Sequence, residues 1–233
     1  MKTTMLQYIA AGTLCLLTAA PLLGADLKVR TPSLDADGRF WVYRNGPVHP
    51  PMPFAPYGYM SDITNMTGLV KVDLECTEHP NQTGSDQSSA ETQTCIQMKV
   101  NWGDASWVGV AFISGPDTPP WWGENERGRH YDLSGLQKKK LVFYARGERG
   151  GEVLKVQFGM LGDKPYGDST HQAIGSDDIT LTPDWTRYQI DLKDVAPAEL
   201  SHICNGFGVN LQRADQSGSQ DSTVIYLDDI YFE

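Results

Sequence analysis

Five polar side chains occupy one set of alternate positions on the predicted strands: Tyr144, Arg146, Gln157, Asn210 and Gln212. Side chains alternate across a strand, so each of these lies on the face opposite its apolar neighbours. Amide, guanidinium and phenol groups on neighbouring strands are what a polyhydroxylated ligand requires, because planar polar groups pair with vicinal hydroxyls. The alternative is an ordinary solvated sheet face, which is polar in antiparallel sheets.

Tryptophan residues in polar surroundings favour the ligand-binding interpretation. The chain has 6 Trp and 10 Tyr. Trp107 joins the polar face of its strand, and Trp121 and Trp122 lie in a loop rich in Pro and Gly. An indole in a loop needs burial or a contact partner. Stacking on sugar rings and plugging one end of the fold therefore both remain open for the two loop residues.

Carboxylates and histidines give no support for catalysis. Asp177 and Asp178 are adjacent, as are Asp228 and Asp229. Adjacent side chains on a strand point in opposite directions, which is poor geometry for an acid and a base acting on one bond. The 5 His show neither metal-ligand spacing nor a Ser-His-Asp order. The sequence predicts no enzymatic activity.

Short strands separated by turns position these residues. Val70–Leu74 and Ile96–Val100 alternate with a period of two, and Trp107–Ile113 is a more continuous apolar run. Breaks rich in Gly or Pro separate the segments. This pattern is typical of an all-β protein, and we predict an antiparallel β-sandwich. Further strands are predicted at 141–146, 153–160, 186–192, 207–212 and 224–232.

The first part of the chain predicts export. Lys2, an apolar run over Leu6–Leu23 and the small residues before position 26 indicate a secretory signal peptide at 1–25. The run is short for a membrane-spanning helix, which needs about 20 residues. Cys15 lacks the small residues that a lipoprotein cleavage site requires, so no membrane anchor is expected. Residues 26–56 are predicted to form a Pro-rich N-terminal arm, and 57–233 a single domain of a secreted or periplasmic protein.

Cysteine positions fit an oxidising compartment. Cys76 and Cys95 flank a polar insert with strand-like sequence on both sides. We therefore predict a hairpin closed by a disulfide between them. Cys204 has apolar neighbours and is expected to be a buried thiol rather than a nucleophile.

The net charge of -10 limits the partners. An acidic surface repels nucleic acid and anionic membranes, so neither is expected as a partner. Neutral ligands and hard cations are compatible with it.

Four segments of the second half carry a family resemblance: Asp132–Gly135, Leu141–Gly147 with its aromatic and A-R-G, Trp185–Leu192 with the pattern W-x-x-Y-x-I-D-L, and Ile225–Phe232 with Y-L-D-D-I-x-F. In this order they resemble the galactose-binding-like jelly rolls of carbohydrate-binding modules. The resemblance covers Tyr131–Glu233, and most of its residues are core and turn positions.

The resemblance implies non-catalytic binding of an oligo- or polysaccharide, on the sheet face or in the rim loops. It also implies a structural calcium ion, for which Asp62 with Asp228 or Asp229 are the candidate ligands, since hard oxygen donors suit Ca²⁺. One alternative is a structural or protein-interaction domain that binds another envelope protein. A weaker one is a glycoside hydrolase or polysaccharide lyase on a jelly roll.

Overall fold

The computed structural model describes residues 29–45, 52–81, 93–114, 130–136, 138–160, 167–213 and 222–233, which form strands joined by turns. The helical structure in these ranges is a 3-10 turn at Pro197–Leu200, and no helix in them is long and apolar enough to cross a membrane. The strands are β1 (Val29–Arg30), β2 (Phe40–Tyr43), β3 (Ala55–Ser61), β4 (Val70–Cys76), β5 (Cys95–Asn101), β6 (Trp107–Ile113), β7 (His130–Tyr131), β8 (Lys140–Gly147), β9 (Val153–Gly159), β10 (Ala173–Gly175), β11 (Ile179–Thr180), β12 (Thr186–Asp191), β13 (Asn205–Gln212) and β14 (Ser222–Phe232).

Two six-stranded antiparallel sheets form the fold. Sheet I has the order β10-β9-β13-β6-β3, with β11 also paired to β9. Sheet II has the order β12-β8-β14-β5-β4, with β2 also paired to β14. The short pair of β1 and β7 is parallel. The predicted antiparallel β-sandwich is confirmed.

The core lies between the two sheets and consists of the apolar side chains at alternate positions. Phe158 of sheet I contacts Phe232 of sheet II with ring centroids 5.3 Å apart. Phe143 of sheet II contacts Phe207 of sheet I at 5.9 Å. All four rings are fully buried, and burying a side chain of this size stabilises the fold by about 1.5–3 kcal/mol. Because side chains alternate along a strand, the residues between these buried positions lie on the outer faces of the two sheets.

The domain starts earlier than the predicted boundary at residue 57. Strand β2 pairs with β14, and Phe40, Val42 and Tyr43 belong to the core. Phe54 is fully buried and packs against Tyr131 with ring centroids 5.3 Å apart. The structure thus places Phe40–Tyr43 and Phe54 within the domain and not in an arm over 26–56, because the neighbouring prolines obscured a four-residue strand. The predicted signal peptide lies outside the described residues.

Candidate functional site

Small residues form a floor on the outer face of sheet I. Ala111 of β6 pairs in register with Gly58 of β3 on one side and with Gly208 of β13 on the other. A Cβ at Gly58 would lie 2.9 Å from the Cβ of Ala111, and one at Gly208 would lie 3.2 Å from the carbonyl oxygen of Gln157. The lack of side-chain volume in this row leaves a depression between the larger residues around it.

Two adjoining cavities occupy that depression, with volumes of about 290 Å³ and 300 Å³. They share Met60, Gln157, Met160 and Asn210, so they form one continuous trough. From Ile113 to Trp107 the trough follows β6 for about 20 Å, at the usual rise per residue of a strand. The residues that line it are Tyr57, Gly58, Tyr59, Met60, Trp107, Val110, Ala111, Ile113, Lys155, Gln157, Met160, Asn205, Gly208, Val209, Asn210 and Gln212.

Four residues predicted from the sequence meet in this trough: Trp107, Gln157, Asn210 and Gln212. Gln212 pairs in register with Trp107, two positions along β13 from Asn210. Each amide offers both a hydrogen-bond donor and an acceptor. Indole and amide groups are thus placed side by side along one sheet face.

Asn205 adds a buried amide that the sequence analysis missed. Its side chain is 5% exposed, and its Nδ2 donates a hydrogen bond of 2.6 Å to the carbonyl oxygen of Gly159. The residue lines the trough, while its Oδ1 atom is itself buried and has no hydrogen-bond partner among the described residues. Leaving a buried acceptor unpaired costs about 1–3 kcal/mol. Through its bond to Gly159 the amide supports the wall of the trough.

Apolar and aromatic groups that the sequence pattern did not indicate complete the lining. Tyr57, at a register shift in β3, packs on Ala111 and Ile113. Tyr59 is exposed in part, and burial of the remainder raises the pKa of its phenol. Met60 and Met160 are 37% and 46% exposed. The exposed apolar surface of the trough is therefore built mainly by residues other than tryptophan.

Tyr144 and Arg146 do not belong to this face. Their strand, β8, lies in sheet II between β12 and β14. The guanidinium of Arg146 lies over the ring of Tyr226, 5.4 Å from its centroid. The prediction of one shared face is wrong for these two residues, because alternation separates inward from outward positions without assigning a strand to a sheet.

The three predicted calcium ligands do not form one site. Asp62 follows β3 and accepts hydrogen bonds from the backbone N–H and the hydroxyl of Ser106. Asp228 and Asp229 lie in sheet II and bind Asn81, through its backbone N–H at 2.9 Å and its Nδ2 at 3.1 Å. In the part of the chain that the structure describes, no group of three or more His, Cys, Asp or Glu could hold a metal ion. Calcium binding itself stays a prediction.

The Asp228–Asp229 pair is buried and electrostatically strained. Burial, and then the charge of Asp229, raise the pKa of Asp228 to about 8. Burial raises the pKa of Asp229 to about 6, against the opposing effects of Arg44, Asn81 and Arg39. Two neighbouring carboxylates with little solvent do not readily carry two charges. The pair belongs to sheet II, whereas the trough lies on sheet I.

The cysteines and the loop tryptophans have separate outcomes. Cys76 and Cys95 are direct partners across β4 and β5, and both are present as buried thiols. The disulfide is thus not formed in the structure, although the register it needs is present.

Cys204 is a buried thiol, as predicted, and burial raises its pKa. Trp121 and Trp122 lie outside the described residues.

Comparison with known proteins gives one family match. The model of the family described as carbohydrate binding domain 30 matches residues 72–233. A solved structure of a family 30 carbohydrate binding module is 15% identical, with a TM-score of 0.48, over 83% of this chain and 86% of that one. The family 30 module of the cellulosomal cellulase Cel9D-Cel44B of Clostridium thermocellum is 14% identical, with a TM-score of 0.45, over 84% and 96%. A family 29 module is 8% identical, with a TM-score of 0.42, over 84% and 91%. A search of curated proteins found no match.

Proposed function

Because the chain belongs to the family described as carbohydrate binding domain 30, we propose that it is an exported, non-catalytic protein that binds a neutral oligo- or polysaccharide in the trough of sheet I. The observation that carries the assignment of the site is the continuous trough itself. Its floor of small residues is bordered by the amides of β9 and β13 and by exposed apolar groups on both sides.

This arrangement matches the two surfaces of a sugar ring. A pyranose has an apolar face of C–H groups and a rim of hydroxyls. The indole of Trp107 and the thioether of Met60 suit the apolar face, because they offer polarisable surface without competing hydrogen bonds. The amides of Gln157 and Asn210 suit the rim, since each can pair with hydroxyl groups. Pockets of this kind combine apolar lining with a few placed polar groups.

The charge of the lining favours a neutral glycan. Lys155 is the one charged side chain among the described residues of the trough. The chain as a whole carries -10, which repels polyanions at long range. With a length of about 20 Å, the trough can hold several consecutive sugar rings of an extended chain.

The test is affinity for a panel of soluble polysaccharides, measured by isothermal titration calorimetry and native affinity electrophoresis. The panel contains neutral glucans, xylans and mannans, together with pectate as an anionic member. Each titration is run with calcium and with a chelator, which also tests the separate calcium proposal. Saturable binding of a neutral member supports the function.

Variants locate the site. Trp107→Ala and Asn210→Ala are each expected to weaken binding about tenfold or more, because each removes a group directed at the sugar. Arg146→Ala is the matched control, since Arg146 lies on sheet II. Loss of binding in the control alone would place the ligand on sheet II. A folded protein that binds no member of the panel would contradict the proposed function.

A further inference from the structure

Two methionines stand on opposite sides of the trough and line both of its cavities. Met60 belongs to β3, at one edge of sheet I, and Met160 directly follows β9, at the other side. Their exposed fractions, 37% and 46%, are unusual for methionine. In most folds this residue fills gaps in the core.

The backbone holds Met160 out of the core. Its φ is +77°, in the left-handed region that residues other than glycine seldom adopt. Its N–H donates a hydrogen bond of 2.9 Å to the hydroxyl of Thr170, which supports this conformation. Leu154, Val156 and Phe158 of β9 face the core. If β9 continued without distortion, alternation would direct the side chain of Met160 into the core as well. The observed backbone instead leaves the thioether at the trough.

Met60 lies near the indole that is proposed to stack on sugar. A Cβ placed on Gly109 would meet the terminal methyl carbon of Met60 at 3.2 Å and an indole carbon of Trp107 at 3.4 Å. Both side chains therefore border the same space above Gly109. A polar group at the Met60 sulfur would lie next to the apolar surface that a sugar ring would contact.

We propose that Met60 and Met160 are oxidation sites through which peroxide lowers the affinity for glycan. The inference rests on the proposed function of the trough. A lone pair of the thioether sulfur attacks one oxygen of hydrogen peroxide, the O–O bond breaks, and the second oxygen leaves as water after proton transfer. Sulfur is oxidised to the sulfoxide and peroxide is reduced. The sulfoxide is polar and no longer offers an apolar surface to the sugar.

The remaining described methionines supply internal controls. Met98 is fully buried in the core, where peroxide reaches the sulfur slowly. Met52 packs against the core. Met66 is 37% exposed but does not line the trough. Oxidation of Met66 should therefore occur at a rate similar to that of Met60 and leave the affinity unchanged.

The test compares affinity before and after mild peroxide treatment of the mature protein, using the neutral polysaccharides of the panel as probes. Peptide mapping by mass spectrometry measures the sulfoxide at each methionine, and near-UV circular dichroism checks that the fold is kept. We expect the affinity to fall about tenfold or more as Met60 and Met160 are oxidised. Treatment with methionine sulfoxide reductases should restore it.

Two variants separate the causes. Met60→Leu/Met160→Leu keeps the apolar volume without sulfur, so it should bind before and after peroxide with nearly the same affinity. Met66→Leu should lose affinity on oxidation as the unmodified protein does. Binding that survives full oxidation of both trough methionines overturns this inference and leaves the proposed function intact. A protein that binds no panel member before oxidation overturns the proposed function, and the inference with it.

Discussion

The side-chain oxygen of Asn210 lies over Gly109, its direct partner across β13 and β6. A Cβ on Gly109 would be 2.6 Å from Asn210 Oδ1, closer than the two atoms can approach without displacement. The absence of a side chain at position 109 therefore sets the position of the amide at the centre of the trough. Sheet geometry and ligand contacts are coupled at this pair.

Gly109→Ala should weaken glycan binding while the protein remains folded. The added methyl group pushes the Asn210 amide toward the ligand and fills part of the space beside Trp107. We expect an affinity loss of about tenfold, measured by calorimetry. The control is Gly135→Ala, where an added Cβ meets nothing within 4 Å. Equal affinities for the two variants would contradict the role given to Gly109.

Arg146→Ala should lower stability without changing affinity. The substitution removes the contact between its guanidinium and the ring of Tyr226, 5.4 Å away, on the outer face of sheet II. A partly exposed cation–π contact contributes about 0.5–1 kcal/mol. Urea denaturation measures the loss, and titration with the same polysaccharide measures affinity. A tenfold loss of affinity at unchanged stability would return Arg146 to the binding site.

The alternation of apolar and polar residues was enough to predict the strands and their inward faces. Phe143, Phe158 and Phe207 are buried in the core as that pattern requires. Alternation does not indicate which strands are neighbours in a sheet, because strand pairing depends on contacts between segments that are distant in sequence. The face proposed from the sequence therefore combined β9 and β13 of sheet I with β8 of sheet II.

Local features of the chain explain why several residues of the trough were not predicted from the sequence. Tyr57 and Met60 follow a run of prolines, and a register shift in β3 interrupts simple alternation there. Met160 follows its strand with a positive φ, which the residue type does not suggest. Asn205 starts β13, and its buried, unpaired oxygen is a property of the folded surroundings. The glycines at positions 58, 109 and 208 were the sequence signal that could have indicated the trough, since glycine within a strand often marks a place where a ligand or another backbone approaches closely.

Stability should fall as the pH rises from about 4 to about 8. Burial raises the pKa of Asp228 from its ordinary value of 3.8 to about 8. In this window the unfolded chain releases a proton that the folded protein keeps, so the free energy of unfolding decreases with pH and levels off above the folded pKa. Asp228→Asn should flatten this slope in urea denaturation at pH 4, 6 and 8. Asp104→Asn, at an exposed turn, is the control and should retain the slope. An unchanged slope in Asp228→Asn would contradict the assignment of the pH dependence to Asp228.

The register of β4 and β5 predicts a disulfide in protein that folds under oxidising conditions. Cys76 and Cys95 are direct partners, and Cα atoms of such antiparallel pairs lie about 4.5–5.5 Å apart, within the range that a disulfide spans. Burial raises the pKa of the Cys95 thiol, so little of it is thiolate, the reactive form, in the reduced folded protein. We expect the bond in non-reducing peptide maps of exported protein, with a stabilisation of about 3 kcal/mol over Cys76→Ala/Cys95→Ala from closure of the intervening loop. Cys204→Ala should leave the bond intact. Alkylation of Cys76 and Cys95 in exported protein that has been unfolded without reductant would show that they remain thiols.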